Sequence, residues 1–442
     1  MVCRNGPGHH KQEVTPMSKR KPYRIVRLVG LDLERLLEDV REQRLVLGID
    51  VGKQRMVMSV MNECEAIVAT LGWTHPEQTP AFLSAVESLR AGAAGVQVAM
   101  EPSGMYGDAL RSQLLARGIE VSRVSPKRSS DAKEVYDGVP SSHDAKSAAI
   151  VAWLHLHGKS EPWPLKSEHE RQLKAALQML AVHSKQFAAN RNRLEALMAR
   201  HWPELPKLLT LGSPTFLELV KEFGGPAAVA SRWTEALQLM VAASRGMLSD
   251  DKVAQVLASA ETTMGMPQLD EEVELVQELA AETRRNQLAE RRARRRVCEL
   301  AASEITTARM QPLLGKSTAA VVVAATGSPL AYDSPGAFLK SLGLNLRERS
   351  SGEKQNRGLH LTKRGSSTAR KYLYLAALRL LMADPVVHAW YLAKVKRDGG
   401  RSKVRAVVAV MRKMVAASWH VARGAPFDAS KLFDTRRLAV VT

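Results

Sequence analysis

The chain has 442 residues, of which 45% are hydrophobic, and its formal net charge is +19. This length exceeds what one ordinary hydrophobic core supports, and the composition is that of a globular protein. Two or three domains are therefore expected, and an intrinsically disordered chain is excluded. A protein this basic most often meets nucleic acid or another polyanion.

The charge is concentrated at one end of the chain. Residues 337–442 hold 22 Lys and Arg against 6 Asp and Glu, so +16 of the net +19 lies there. This asymmetry predicts a basic binding domain. The three cysteines show no CxxC spacing, which favours a reducing, cytoplasmic location. Together with the basic charge, we expect association with the nucleoid. The apolar runs are too short for a membrane span, so no membrane partner is expected.

A basic arm is predicted over residues 1–44, and an α/β domain follows over residues 45–165. The predicted elements are strand 45–50, strand 55–62, strand 65–73, helix 79–89, strand 96–101, helix 103–118, strand 119–126 and helix 141–158. Three antiparallel strands followed by helix-linked parallel strands are typical of a ribonuclease-H-like (RuvC-like) fold. Gly48 and Gly52 are predicted to let the backbone turn closely beside Asp50.

The rest of the chain is predicted to be helical. Two long helices, about 168–202 and 271–310, carry apolar residues at three- and four-residue spacing and predict an antiparallel coiled coil over residues 166–310. Within the second helix, "RRARRR" is interpreted as a solvated face or as a phosphate contact. A basic helical domain is predicted over residues 311–442.

Three carboxylates lie where this fold would bring them together. Asp50 ends the first strand, Glu101 ends the fourth, and Asp144 begins the helix after the sheet. Hard cations such as Mg²⁺ or Mn²⁺ take carboxylate oxygens, and two ions can stabilise the attacking and leaving oxygens of a phosphodiester. Considered one at a time, Asp50 is most simply interpreted as a turn residue, Glu101 as a loop residue and Asp144 as a helix N-cap.

Several motifs resemble one known family, the DEDD transposases of insertion sequences. "GIDVGK", "MEPSGMYGDALRSQLLARGIEVSRVSP" and "KEVYDGVPSSHDAKSAAIVAWL" resemble the N-terminal domain of these RuvC-like recombinases. "SLGLNLRERSSGEKQNRGLHLTKRGSSTARKYLYLAA" resembles their C-terminal transposase domain. The resemblance covers about residues 45–433. It implies DNA as substrate, a structured bridge RNA as guide, and a homo-oligomer, either dimer or tetramer.

By this resemblance Asp50, Glu101 and Asp144 are the first three acids of the DEDD set and ligands of the metal. The fourth acid of the family falls three residues after the third, where this chain has Ser147. A serine hydroxyl is neutral and a weaker ligand. Three interpretations stay open: three acids suffice, water or another acid such as Asp137 substitutes, or this copy is impaired.

The resemblance also implies a serine nucleophile in "RERSSGEKQNRG". Ser351 matches the family position, and Ser350 is the neighbouring alternative. Basic residues around them are predicted to bind the DNA backbone: Arg347, Arg349, Lys354, Arg357, Lys363 and Arg364. The Pro-Gly-Ile-Gly hairpin of the family is replaced by "PLLGKSTAA", which keeps only Gly315.

Three other functions fit part of the pattern. An actin-like ATPase or sugar kinase also opens on a strand ending in Asp-x-Gly but needs a second Asp-Gly-Gly turn, and the only "DGG", at residues 398–400, follows a helical basic segment. A junction-resolving nuclease uses the same acids without needing the serine. A decayed transposase that only binds nucleic acid is favoured by Ser147.

Overall fold

A computed structural model of the chain describes residues 23–347, 359–400 and 402–433. The chain divides into two compact units, residues 1–166 and residues 167–442. None of the helices in the described ranges combines the length and the apolar character that a membrane span requires.

A seven-stranded mixed sheet forms the centre of the first unit. Its strands are β1 (Val26–Arg27), β2 (Arg44–Val51), β3 (Arg55–Asn62), β4 (Ile67–Thr74), β5 (Gly95–Met100), β6 (Val121–Val124) and β7 (Ser160–Pro162). The spatial order is β1-β4-β3-β2-β5-β6-β7. The strands β2, β3 and β4 pair antiparallel, whereas β2, β5 and β6 pair parallel. The predicted arrangement of antiparallel strands followed by a βαβ unit is confirmed.

From residue 23 onward, five α-helices accompany this sheet. They are α1 (Leu33–Asp39), α2 (Thr79–Gly92), α3 (Asp108–Ala116), α4 (Pro126–Asp137) and α5 (Asp144–Leu156). The helices α2 and α3 pack with the inward side chains of β2–β6 in one core, and α5 covers part of the opposite side of the sheet. The helix α4 was not predicted. Residues 23–44, assigned to the basic arm by sequence, include α1 and β1, and β1 pairs parallel with β4.

The two glycines beside Asp50 act differently from one another. Gly52 follows the last residue of β2, and a Cβ there would lie 2.2 Å from the Arg55 carbonyl oxygen, as expected for a tight turn. Gly48 lies inside β2 and not in a turn. A Cβ at Gly48 would lie 2.3 Å from the Ala148 carbonyl oxygen and 2.4 Å from the Ala152 nitrogen of α5. The role predicted for Gly48 is therefore wrong, because this glycine allows α5 to approach the sheet.

The second unit is mostly helical. Its helices are α6 (Glu168–His201), α7 (Leu205–Leu208), α8 (Pro214–Phe223), α9 (Pro226–Ser231), α10 (Trp233–Ser244), α11 (Asp250–Glu261), α12 (Asp270–Leu300), α13 (Ile305–Leu314), α14 (Lys316–Thr326), α15 (Pro335–Ser341), α16 (Ser367–Ala383), α17 (Pro385–Arg397), α18 (Lys403–Ala422) and α19 (Ala429–Leu432). A two-stranded antiparallel ribbon, β8 (Leu346–Arg347) with β9 (His360–Leu361), interrupts the series.

The two long helices α6 and α12 run antiparallel along one another. Polar pairs join them in opposite chain order, with Asn190 donating to Glu282 at 3.0 Å and Arg200 pairing with Glu272 at 3.1 Å. The helix α6 begins with a capping box, in which Ser167 accepts the Glu170 N–H. The predicted first helix is confirmed, but the second ends at Leu300 instead of Met310. A 3₁₀ turn over Ala301–Ser303 follows, and Ala301 is fully buried there.

Two cores stabilise this unit. One core joins the end of α6 and the start of α12 with α8, α10 and α11. The other joins the end of α12 with α13, α14, α16 and α18. The predicted basic loop over residues 396–403 overlaps both neighbouring helices, since α17 ends at Arg397 and α18 begins at Lys403. Residue 401 lies outside the described residues, and Asp398 is the C-cap of α17. The "DGG" segment is thus the end of a helix, which argues against the kinase alternative.

Candidate active site

The sheet brings Asp50 and Glu101 to the same edge. Asp50 is the penultimate residue of β2, and Glu101 comes directly after β5, the parallel neighbour of β2. The Glu101 N–H donates to the carbonyl oxygen of Ile49 at 3.4 Å, so the ends of β2 and β5 lie side by side at this point. Neighbouring parallel strands end at the same edge of a sheet, so these two carboxyl groups are neighbours.

The helix α5 supplies the third acid and the serine. Asp144 is the first residue of α5 and is exposed, and Ser147 lies one turn further on and is half-buried. Asp144 is not the N-cap. That role belongs to His143, whose Nδ1 accepts the Lys146 N–H at 3.2 Å. The simple capping interpretation of Asp144 is therefore wrong, which leaves its carboxylate available for other contacts.

A cavity of about 100 Å³ opens at this edge. Its lining consists of Asp50, Glu101, Pro126, Ser129, Ser130, Lys133, Ser147 and Ile150. The structure thus brings Ser147 beside two of the predicted acids, whereas Asp144 lies outside the lining. In the described ranges no group of three or more His, Cys, Asp or Glu side chains is placed to hold a metal ion.

The electrostatics of Asp50 show that the acids act on one another. Burial is the largest cause, followed by the negative charges of Asp144 and Glu101, and together they raise the pKa of Asp50 to about 6. The ammonium of Lys133 and the Val51 N–H act in the opposite direction. A partly desolvated carboxylate repelled by two others is a setting that a bound cation relieves. Of the three acids, Asp50 and Glu101 line the cavity, and their carboxylate oxygens are donors that suit a divalent cation.

The acid proposed as a substitute, Asp137, is engaged elsewhere. Its Oδ1 accepts from the Nζ of Lys146 at 2.6 Å, and its Oδ2 accepts from the hydroxyl of Tyr23 at 2.8 Å. The hydrogen bond from Lys146 is the largest cause that lowers the pKa of Asp137. Lys146 is only 1% exposed, so removing this carboxylate would leave a buried charge uncompensated. Asp137 does not line the cavity and serves the packing of α5 instead.

Three polar residues of the cavity lining were not identified by the sequence analysis: Ser129, Ser130 and Lys133. All lie on α4, a helix with few apolar residues and therefore a weak periodic signal. A signal was nevertheless present. Pro126 occupies the first turn of the helix after Ser125, and Gly138 follows its end with φ of 76°. Proline at the start and glycine at the C-cap are the usual boundaries of a helix.

The serine predicted as nucleophile lies outside the described residues. The same holds for Ser350, Arg349, Lys354 and Arg357, all within residues 348–358. The other three predicted DNA contacts are described, and all are exposed: Arg347, Lys363 and Arg364. Arg347 ends β8, and the other two follow β9 closely. The base of the ribbon thus presents positive charge to solvent, as a phosphate contact requires.

Hydrogen bonds from two helices hold the base of this ribbon in place. Arg412 of α18 donates from Nε to the Leu344 carbonyl oxygen at 2.9 Å. Arg370 of α16 donates to the carbonyl oxygens of Leu342 and Gly365, each at 3.1 Å. Lys363 has a left-handed backbone, with φ of 56°, and its N–H donates to Gly343 at 3.0 Å. The side chains at this base are therefore positioned by two helices.

Replacing Arg412 by Met is expected to loosen this base. The substitution leaves the Leu344 carbonyl oxygen without its charged donor, and we expect a loss of about 1.5–3 kcal/mol in the free energy of unfolding. Amide hydrogen exchange over residues 359–365 should become faster. Arg405→Met, at an exposed position of the same helix, is the control. Unchanged exchange in the Arg412 variant would show that α18 does not hold the ribbon.

Comparison with protein families agrees with these features. Residues 47–203, which include all three acids, match the family model of IS110 DEDD transposases, described as a transposase. Residues 307–392, which include the ribbon, match the model described as the transposase IS116/IS110/IS902 family. No curated protein matches the chain.

Both matched models define the same class of protein, a transposase, which acts on DNA. The two matches fall in the order expected from the motifs: the first covers most of the first unit and continues into the second, and the other lies within the second unit. The chain belongs to the IS110 family of DEDD transposases, found in insertion sequences. The resemblance stated from the sequence is thereby confirmed.

Proposed function

We propose that this transposase cleaves and exchanges DNA strands with a divalent cation, Mg²⁺ or Mn²⁺, and with Ser351 as nucleophile. The observation that carries the proposal is the cavity at the end of β2 and β5, where burial, followed by the negative charges of Asp144 and Glu101, raises the pKa of Asp50. The strand order β4-β3-β2-β5-β6, antiparallel and then parallel, supports a ribonuclease-H-like assignment of this sheet.

Each residue has a defined task in this proposal. Asp50, Glu101 and Asp144 hold the cation, which when bound supplies positive charge to the phosphate undergoing exchange. The Ser351 Oγ forms a bond to phosphorus while a bond from phosphorus to a deoxyribose oxygen breaks. The serine proton passes to a base or to water, and the released DNA hydroxyl takes up a proton. Attack by the hydroxyl of another strand reverses these steps and rejoins the DNA.

Charge at the ribbon supports DNA as the substrate. Arg347, Lys363 and Arg364 are exposed beside the segment that contains Ser351, and the basic residues Arg349, Lys354 and Arg357 lie within it. Lys and Arg bind phosphates and fix the register of a nucleic acid without reading its sequence. Sequence choice is therefore assigned to a structured guide RNA, as the family resemblance implies. The exposed arginines of "RRARRR" in α12 offer a surface for that second polyanion.

Strand exchange between two duplexes requires several nucleophiles, so we propose a dimer or tetramer as the active form. One chain carries one Ser351, and a crossover needs each cut strand to be held until it is rejoined. The three domains proposed from the sequence, over residues 45–165, 166–310 and 311–442, then have separate tasks. The first holds the cation, the second contributes helical surface, and the third carries the serine.

An excision assay tests this function. The protein is expressed in cells with its native flanking DNA, and the junction left by excision is amplified. We expect Asp50→Ala and Ser351→Ala to reduce the junction by roughly a thousandfold or more, because each removes a group that acts in the chemical step. Ser350→Ala is the matched control and should retain the product. A junction that survives Ser351→Ala would contradict the nucleophile assignment.

A second candidate function rests on Ser147. This residue lines the cavity at the position of the fourth family acid, and its neutral hydroxyl is a weak ligand. A decayed transposase that binds nucleic acid without cleaving it would give no wild-type junction. If Ser147→Asp restored the junction, the lesion would be this one position. A wild-type junction would rule out the decayed form.

A further inference from the structure

A lysine faces the acids of the candidate active site. Lys133 of α4 lines the same cavity as Asp50 and Glu101, and its positive charge lowers the pKa of Asp50. Its Nζ donates to the Ser142 hydroxyl at 2.8 Å, in the loop before α5. This exposed hydrogen bond links the Lys133 side chain to the loop before α5, while the lysine itself lines the cavity.

A buried hydroxyl in the same wall points to a ligand. Ser129, one turn before Lys133 on α4, is 5% exposed and lines the cavity. Its Oγ has no hydrogen-bond partner in the described part of the chain. Buried polar groups in folded proteins nearly always have partners, and the exceptions often mark the place of a bound molecule or ion. Ser129 and Lys133 together can donate to an anionic oxygen.

The charges at the cavity limit how many cations it accepts. Two carboxylates and one ammonium line it, and Asp144 adds one further negative charge nearby. One divalent cation balances that set. A second would meet Lys133 and the neutral Ser147 where the family has a carboxylate. At short range in a partly buried site, repulsion between an ammonium and a divalent cation is large.

We propose that Lys133 binds a phosphate oxygen of the nucleic acid in this cavity, that Ser129 donates to the same phosphate, and that the site works with one divalent cation. The inference rests on the proposed function, since it concerns how that site binds its substrate. Lys133 supplies the positive charge that a second ion would otherwise supply beside Ser147. The proposal also accounts for a site that lacks the fourth carboxylate.

The test is the number of Mn²⁺ ions bound by the full chain, measured by isothermal titration and by electron paramagnetic resonance. We expect one ion in the wild type and a second only in Lys133→Ala combined with Ser147→Asp. Lys133→Ala alone should bind its single ion on the order of tenfold more tightly, because a nearby positive charge is removed. Lys127→Ala, on the same helix but outside the cavity lining, should leave both values unchanged.

A second measurement addresses the phosphate contact. Excision should fall with Lys133→Ala and recover in part with Lys133→Arg, because a guanidinium also binds phosphate. Ser142→Ala distinguishes the phosphate contact of Lys133 from its structural contact with Ser142. This substitution removes the hydroxyl that accepts from Lys133 and keeps the ammonium charge. Thermal unfolding of every variant checks that each protein is folded.

These experiments distinguish a failure of the role proposed for Lys133 from a failure of the proposed metal-dependent function. Two ions in the wild type, or one ion with an affinity that Lys133→Ala leaves unchanged, would overturn the role of Lys133 while the metal-dependent function stands. A folded wild type that binds no Mn²⁺ and yields no excision junction would overturn the proposed function itself. One ion, tighter binding in Lys133→Ala and rescue by Lys133→Arg would support the inference.

Discussion

Asp50→Asn should make the protein more stable at pH 7 in the absence of divalent cations while it abolishes DNA excision. The Asp50 carboxyl has a pKa of about 6 in the folded chain, against a usual value near 4 when unfolded. The folded state therefore binds more protons between these values, so stability falls as pH rises from about 4 to about 6. Above pH 6 the ionised carboxylate destabilises the fold, and the neutral amide removes that effect.

The expected gain in the free energy of unfolding follows from the raised pKa of Asp50. About two pKa units correspond to about 3 kcal/mol, and partial exposure of the carboxylate reduces the expected gain to about 1–2 kcal/mol. Urea unfolding with a chelator should show the full difference at pH 7 and a smaller one near pH 4. Added Mg²⁺ should stabilise the wild type more than the variant, because the variant has lost a ligand.

Glu120→Gln is the matched control, since this carboxylate is exposed in the same unit. It should change neither the unfolding free energy nor its dependence on Mg²⁺. If Asp50→Asn were less stable than the wild type at pH 7 without cations, Asp50 would be a structural residue. The site would then have no stored repulsion for a cation to relieve.

Gly48→Ala is expected to destabilise the first unit strongly, although it adds only one methyl group. The new Cβ would lie 2.3 Å from the Ala148 carbonyl oxygen and 2.4 Å from the Ala152 nitrogen, and both are backbone atoms of α5. No rotamer change relieves such a clash, so the helix must move away from β2. We expect a loss of about 3 kcal/mol or more in the free energy of unfolding.

The displaced helix carries Asp144 and Ser147, so excision should be lost along with stability. Gly95→Ala is the control, because a Cβ on this β5 glycine meets only the Arg44 Cγ at 3.9 Å. The double variant Gly48→Ala with Ala152→Gly should not recover, since the closest contacts are with backbone. Recovery in that double variant, or a cost below about 1 kcal/mol, would show that the spacing of α5 and β2 is adjustable.

Much of the acid site was predictable because each acid marks the boundary of a strong local pattern. Continuous apolar runs predicted β2 and β5, and Asp50 and Glu101 lie at their ends. The polar start and apolar body of α5 likewise predicted that Asp144 would begin this helix. The helix α4 was missed because only Ser129 and Ala132 are buried on it, so apolar periodicity is nearly absent.

By itself the sequence determined five of the seven sheet strands, the two long helices and the order of the acids, because these depend on local periodicity and on side chains at element ends. The short edge strands β1 and β7 carry no such pattern and were not predicted. Only the tertiary structure decided what those groups meet. It placed Lys133 at the acid cavity, engaged Asp137 with Lys146, and ended α12 at Leu300. It also showed that Gly48 allows the backbone of α5 to approach β2 closely. Such contacts join residues distant in the chain, and no local pattern encodes them.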